Sequence, residues 1–253
     1  MHLLILKGDK MQKVLAVIPA RSGSKSIKDK NIRLLNGMPM LAYSIKHALA
    51  SKKIDRVIVS TDSEIYARIA KQYGAEVPFI RPASISTDTS LDIEVFQHVL
   101  EYLNNEEMYN PDIIVHLRPT YPIRNVQDID NMIDMMINDE TIDSVRCVAP
   151  AKELAYKMWR MDENQKITPL LSDIPEAFNM PRQQLPKIYY QNACIDVIRA
   201  STITEKKSMS GKNIKGYEMT HNFDIDTEQD FLKVEKYMRL LEGNKKVVFP
   251  SRI

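Results

Sequence analysis

Val14-Leu15-Ala16-Val17-Ile18-Pro19-Ala20-Arg21-Ser22-Gly23-Ser24-Lys25-Ser26-Ile27-Lys28-Asp29-Lys30-Asn31 is the stretch that decides the fold. An unbroken apolar run that empties into small residues reads as a strand buried on both faces, and such strands belong to parallel sheets covered by helices. The loop after it carries Arg21, Lys25, Lys28 and Lys30, with Arg33 just beyond. Small residues let backbone N–H groups approach an anion, and the cations neutralise it, so the loop suits a nucleoside triphosphate. It is not a P-loop, because the G-x-x-x-x-G-K-[ST] spacing is missing, and its single glycine excludes a dinucleotide fingerprint. A solvated basic turn is the bland alternative; the position after the first buried strand, where open α/β sheets bind ligands, favours the anion site.

Working outward, further strands are expected at Arg56 to Ser60, Val77 to Ile80, Ile113 to Leu117 and Ser144 to Val148. Helical patterns lie between them, at Met40 to Ala50, Ser63 to Tyr73, Asp92 to Leu103 and Val126 to Ile137. This alternation predicts an α/β fold with a mostly parallel sheet covered on both faces. After Pro150 the pattern changes: Lys157 to Ile167 reads as a hairpin, and Ile188 to Arg199 as another extended run. Together they suggest a smaller, partly antiparallel subregion from about residue 150 to 220. A last helix begins at Thr227, with Asp230 three residues on and Phe231, Val234, Met238 and Leu241 as its apolar stripe.

Composition narrows the function classes. A chain of 253 residues, 44% hydrophobic, can bury a sizeable core. Its formal charge of +2, from 35 basic and 33 acidic side chains, provides no global field for nucleic acid or a membrane surface. Cys147 and Cys194 sit in apolar runs without metal-ligand spacing and read as buried thiols. The five histidines form no His-x-x-x-His pair, and His47 and His98 fall inside helical patterns as structural residues. Residues 1–10 hold an apolar patch too short to span a bilayer and are expected to be an extension. A cytoplasmic location is the expectation.

Three more constellations carry chemistry. In Asn222-Phe223-Asp224-Ile225-Asp226-Thr227, two carboxylates stand two apart on an extended segment and point the same way, which suits Mg²⁺. The competing reading is that Asp226 merely starts the next helix. His116-Leu117-Arg118-Pro119-Thr120-Tyr121-Pro122-Ile123-Arg124 makes a stiff cationic strand end suited to an anion. Asn179-Met180-Pro181-Arg182-Gln183-Gln184-Leu185-Pro186 offers Arg182 as a bidentate carboxylate grip, or else is a proline-bounded surface loop.

Taken in order with Val59-Ser60-Thr61-Asp62 and Arg81-Pro82 followed by Asp88-Thr89, these motifs resemble the acylneuraminate cytidylyltransferases, the CMP-sialic acid synthetases and their relatives. The resemblance runs from about residue 13 to 240. It implies a three-layer α/β/α nucleotidyltransferase fold with a small antiparallel dimerisation insertion. One cytidylyltransferase domain would span 11–253, with 155–217 as a dimerisation and sugar-site subregion. The implied reaction is Mg²⁺-dependent transfer of CMP from CTP to a nine-carbon 2-keto sugar acid, releasing pyrophosphate.

By similarity, Arg21, Ser22, Gly23 and Lys25 would bind the nucleotide with Asn31, Arg81, Ser90 and Asp92. Arg21 and Lys30 would act on the triphosphate together with Asp224 and Asp226, the pair that would also hold Mg²⁺. Arg118, Lys157, Arg182 and Gln183 would face the sugar acid, and the family suggests a homodimer. The chain departs from the family at Arg118, where sialic acid enzymes often carry glutamine, and at Lys28-Asp29, where a proline is common. A CMP-Kdo or sugar-1-phosphate nucleotidylyltransferase is the near alternative; a nucleotide-binding protein without catalysis is the remote one, against which both Asp224 and Asp226 argue.

Overall fold

A computed structural model describes residues 12–220 and 222–243, so the expected extension at 1–10 lies outside the described residues. The elements in chain order are β1 (Val14–Pro19), β2 (Leu34–Leu35), β3 (Met38–Pro39), α1 (Met40–Ala50), β4 (Arg56–Ser60), α2 (Glu64–Gln72), α3 (Asp92–Glu107), β5 (Ile113–Leu117), α4 (Val126–Asn138), β6 (Ser144–Pro150), β7 (Trp159–Met161), β8 (Ile167–Pro169), β9 (Tyr189–Arg199), α5 (Ala200–Thr204), β10 (Ile214–Glu218) and α6 (Glu228–Gly243).

Six strands form one sheet in the order β10-β6-β9-β5-β1-β4. Neighbours pair in parallel except around β9, which runs antiparallel to both β5 and β6. Alternation along the strands sends Ala16, Ile18 and Val115 to one face, where α1, α2 and α4 supply Leu41, Ala67 and Ile133. Leu15, Val17 and Ile114 face the other way, against Phe96, Val99 and Leu103 of α3. The result is the expected three-layer α/β/α arrangement with a mostly parallel sheet. Each fully buried aliphatic of this kind contributes roughly 1.5–3 kcal/mol by leaving water, which is why both faces of the sheet need a cover.

Two expectations change. Val77 to Ile80 is not a strand: the chain makes one isolated parallel bridge, Ile58 to Glu76, and then leaves the sheet. Pro78 has no N–H to continue a ladder, so pairing stops there. The run after Ile188 is β9, a member of the central sheet and not of a separate antiparallel piece. Its alternating pattern marks a strand but does not say which non-local partner it takes. What stands apart is smaller, the β7–β8 hairpin and a cluster of Tyr156, Ala177 and Leu185 backed by Leu154 and Ile188.

The last helix folds back on the start of the chain. Thr227 and Asp230 cap each other at its N-terminus, through Asp230 N to Thr227 Oγ1 (3.2 Å) and Thr227 N to Asp230 Oδ2 (2.9 Å). Phe231, Val234 and Met238 then bury against Ile27, Leu35 and Met40. Arg33 is committed to this junction: it forks onto Glu228 at 2.5 and 2.6 Å and lies over the Phe231 ring, so it adds no free cation to the loop after β1.

Arg124 also departs from its reading as part of an anion site. Its guanidinium is buried and donates to Cys194 O (2.8 Å), Ser44 Oγ (2.8 Å) and Arg118 O (2.5 Å), bracing the turn after β5 against α1 and β9. Replacing it with methionine fills similar space but takes a charged donor from each of three acceptors, of which Arg118 O keeps Ser44 Oγ and Tyr121 N. Arg124→Met should lose about 3 kcal/mol or more in urea unfolding; a loss under about 1 kcal/mol would show that the brace is dispensable.

Candidate active site

The candidate site lies where the chain leaves the carboxyl ends of β1, β4 and β5. Because β1 sits between β4 and β5 in parallel, connections diverge from its end and leave a crevice. A cavity of about 460 Å³ occupies it, lined by five basic side chains, Arg21, Lys25, Lys30, Arg81 and Arg118, and one acidic one, Asp92. Asn31, Ser90 and Thr120 complete the polar wall.

The opening loop is held by its own backbone and one carboxylate. Ala20 N donates to Ser60 O (2.9 Å), and both Ser22 N and Ser22 Oγ donate to Asp62 at 2.7 Å. Burial works to raise the Asp62 carboxyl, and the two bonds from Ser22 overcome it and hold it below the usual range. Ser22 and Gly23 therefore shape the loop from behind and do not line the cavity. Asn31 Nδ2 closes the far end on Arg21 O at 3.0 Å.

Two cations of this loop meet a third segment. Asp88, on the turn before α3, stands 2.8 Å from Arg21 Nη2 and also contacts Lys25 Nζ. Lys25 foremost, then Arg21, holds that carboxyl low. An internal carboxylate thus occupies the electrostatic place expected for a phosphate.

Arg81 is the most telling side chain in the cavity. Only 4% exposed, it leaves Nε and Nη2 without a hydrogen-bond partner, with Asp62 no nearer than 4.0 Å. Burial lowers its pKa against the pull of Asp62. Leaving buried charged donors unmet is costly, so these donors fit a ligand acceptor.

The carboxylate pair arrives from the other end of the chain. Ile225 N donates to Thr120 O (2.9 Å), which straps the Asp224-Ile225-Asp226 segment to the end of β5. Lys30, 9% exposed, donates to Ile225 O (2.9 Å) and reaches Asp226 Oδ1 at 3.3 Å. Burial raises the Asp224 carboxyl; a hydrogen bond with Thr120 opposes this and the charge of Asp226 adds to it. Two carboxylates that repel one another, joined to the cationic cavity through its wall residues Thr120 and Lys30, form a hard-oxygen donor set that fits a magnesium ion completed by water and phosphate. Among the described residues no group of three or more His, Cys, Asp or Glu side chains gathers as a metal cluster.

Asp224 itself lines a second cavity, of about 1020 Å³, together with Lys152, Tyr190, Lys233 and Tyr237. Arg182 lies beyond that cavity, bonded to Lys152 O and lining a small cleft with Leu185 and Glu218. Lys157 donates to Phe178 O at 3.2 Å, and Gln183 is exposed. Arg118 is the one member of the expected sugar-facing set that the fold brings into the first cavity.

A pattern describing the cytidylyltransferases matches residues 15–249. The chain belongs to the cytidylyltransferase family. As such it is a nucleotidyltransferase. It is 33% identical over 233 residues to the CMP-N,N'-diacetyllegionaminic acid synthase of Legionella pneumophila, covering 90% of this chain and 97% of that one. To the N-acylneuraminate cytidylyltransferase of Escherichia coli O18:K1:H7 it is 31% identical, covering 87% of this chain and 50% of the longer relative. A solved CMP:2-keto-3-deoxy-manno-octonic acid synthetase, complexed with CTP, superposes with a TM-score of 0.67 at 16% identity over 90% of this chain and 99% of that one, a likeness of fold.

Asp62, Asp88 and Thr120 had no role assigned from sequence. Their only signal was position, at or beyond strand ends within the quoted motifs. If Asp88 competes with an incoming polyphosphate, Asp88→Asn should bind inorganic tripolyphosphate severalfold more tightly at low salt by calorimetry. The gain should shrink at high salt; equal affinity of the two proteins at low salt would remove the competition.

Proposed function

We propose that this cytidylyltransferase transfers CMP from CTP to the anomeric hydroxyl of a nine-carbon 2-keto sugar acid of the legionaminic or sialic kind. The observation that carries the reading is the position of Asp224, bonded to Thr120 of the cationic cavity while lining the larger cavity beside it. A donor nucleotide on one side and an acceptor on the other would meet at the carboxylates. The Legionella relative's acid supports the acceptor class.

In this reading Arg21, Lys25 and Lys30 neutralise the triphosphate, displacing Asp88. Arg81, Asn31, Ser90 and Asp92 hold cytidine. Arg182, Lys157 and Gln183 serve the acid, and Ser22 and Gly23 keep the loop in shape. One carboxylate of the Asp224/Asp226 pair takes the proton of the anomeric hydroxyl. Its oxygen bonds to the α-phosphorus, the bond to the bridging oxygen of the β-phosphate breaks, and pyrophosphate leaves with the electron pair. Magnesium on Asp224 and Asp226 would supply charge neutralisation at the phosphates and make the hydroxyl easier to deprotonate. Positioning and charge carry such a transfer, and this chain supplies both.

The reading includes a homodimer. Lys157, Arg182 and Gln183 lie off the first cavity of their own chain, while the β7–β8 hairpin exposes Trp159 (40%), Met161 (69%) and Ile167 (51%). A second copy would cover that apolar surface and bring sugar-facing residues to the site. A cytoplasmic setting suits the two free, buried cysteines Cys147 and Cys194. Among the described residues no helix is long and apolar enough to cross a membrane.

Pyrophosphate release, measured for each nucleoside triphosphate against nonulosonic acids, Kdo and sugar 1-phosphates with and without Mg²⁺, should give turnover with CTP, a nine-carbon acid and metal. Turnover only with a sugar 1-phosphate would overturn the acceptor. Asp226→Asn should lower kcat by at least about a hundredfold with an unchanged circular dichroism spectrum. In light scattering the wild type should be a dimer and Met161→Asp largely monomeric with reduced turnover; a fully active wild-type monomer would remove the shared site.

A further inference from the structure

A buried charge network backs the first cavity and has no part in the chemistry described so far. Asp196, in the middle of β9, is only 1% exposed. In register it lies between His116 of β5 and Arg146 of β6. His116 Nδ1 is 3.9 Å away and Arg146 Nε 4.0 Å, both beyond hydrogen-bond distance, and Gln191 Nε2 is 3.4 Å away. The short contact is Arg118 Nη1 to Asp196 Oδ2, at 2.9 Å. The same nitrogen reaches Ala193 O at 3.2 Å, where β9 bulges and Ala193 takes a left-handed φ of 57°. Holding a carboxylate inside a sheet costs several kcal/mol, so a purely packing role would be served more cheaply by an apolar side chain.

Arg118 connects this interior charge to the ligand cavity. While Nη1 is fixed inward, Nη2 reaches Asp92 Oδ2 at 3.3 Å. Among the described residues, Asp92 is the only acidic side chain lining this cavity of cations. It also acts on Arg81, the buried guanidinium whose Nε and Nη2 lack acceptors. A planar guanidinium can fix both carboxylates at once; an ammonium, a single point charge, cannot hold the same two-ended geometry.

We propose that Asp196 is a positioning residue for nucleotide selection. Through Arg118 it fixes Asp92, so that Arg81 as donor and Asp92 as acceptor read the amino edge of cytosine and reject uracil. Cytosine offers acceptors at O2 and N3 beside a donor amine at N4. Uracil puts a carbonyl where the amine was, and a carboxylate facing that carbonyl gains no hydrogen bond and repels it. The inference rests on the proposal that the first cavity holds the donor nucleotide. It gives Arg118 work on the nucleotide side and none on the sugar.

The test is steady-state kinetics with CTP and UTP, plus calorimetric nucleotide binding, for wild type, Asp92→Asn, Asp196→Asn and the double variant. Both single variants should raise the KM for CTP about tenfold, the effect of losing one charge-assisted hydrogen bond, and narrow the CTP/UTP ratio of kcat/KM by a similar factor. At saturating CTP kcat should change much less, and the KM for the acid should stay the same. The double variant should be no worse than Asp92→Asn alone, because both act through one carboxylate.

A lower melting temperature with unchanged KM and selectivity, or effects that multiply in the double variant, would overturn the proposal. If Asp196→Asn does not fold, Arg118→Lys decides: it keeps a cation beside Asp196 but breaks the bridge, and should reproduce the loss of selectivity. Retained selectivity in Arg118→Lys would overturn the proposal. If wild type neither binds nor uses CTP, the nucleotide reading itself fails, an outcome distinct from a CTP-selective wild type with indifferent variants.

Discussion

The ammonium of Lys30 is the contact on which the site depends. It belongs to the first loop of the chain, yet it is satisfied by Ile225 O and Asp226, nearly two hundred positions later in sequence. A lysine with little access to water needs such partners, since its charge is otherwise poorly solvated. Meeting that need brings the basic loop after β1 and the carboxylate pair together, and the burial of Ile225, Phe231 and Met238 against Ile27 and Met40 fixes the approach. Remove the charge and what still joins the two halves lies to its sides: the apolar contacts, the Arg33–Glu228 fork and the strap to Thr120.

Around that contact the site is built in excess of positive charge, and the structure manages the excess locally. Asp88 absorbs part of it at Arg21 and Lys25, Asp226 part at Lys30, and the Asp92–Arg118–Asp196 chain part at the rear. Arg81 is left with unmet donors. These arrangements differ in rigidity. Asp88 is exposed and on a turn, easily displaced, whereas Asp196 is locked inside a sheet. Preorganised donors cost no rearrangement when charge develops, so the division between yielding and fixed partners sets which parts of the wall respond to a ligand.

Much of this was legible in the residues. The parallel strands and their helices follow from apolar runs and 3.6-residue stripes, and the basic loop after β1 and the Asp-x-Asp segment both lie at the site. Pairing partners were not legible: an alternating run such as Tyr189 to Arg199 marks a strand without marking its neighbours, and Val77 to Ile80 looked like a strand until Pro78 is weighed. Nor does composition separate an arginine that faces a ligand from one that braces a turn. Arg33, Arg81, Arg118 and Arg124 have the same chemistry, and only burial and the acceptors around each tell them apart. Asp196, one acid inside an apolar run, carried no sequence signal at all.

The antiparallel β9 in the middle of the sheet has a further consequence, for synthesis. The half-sheet β4-β1-β5 is complete once the chain has emerged past Leu117, but β6 has no place in it, because its neighbour is made only after residue 188. Until then the growing chain carries the bare edge of β5, apolar but for His116, and an unpaired β6. Unpaired edges of this kind are templates for wrong partners. The piece that fills the delay, from Ala151 to Ile188, is short-stranded and turn-rich, and it closes on its own small cluster of Tyr156, Ala177 and Leu185. It can therefore gather locally, without borrowing the open edge, while the sheet waits for its central strand.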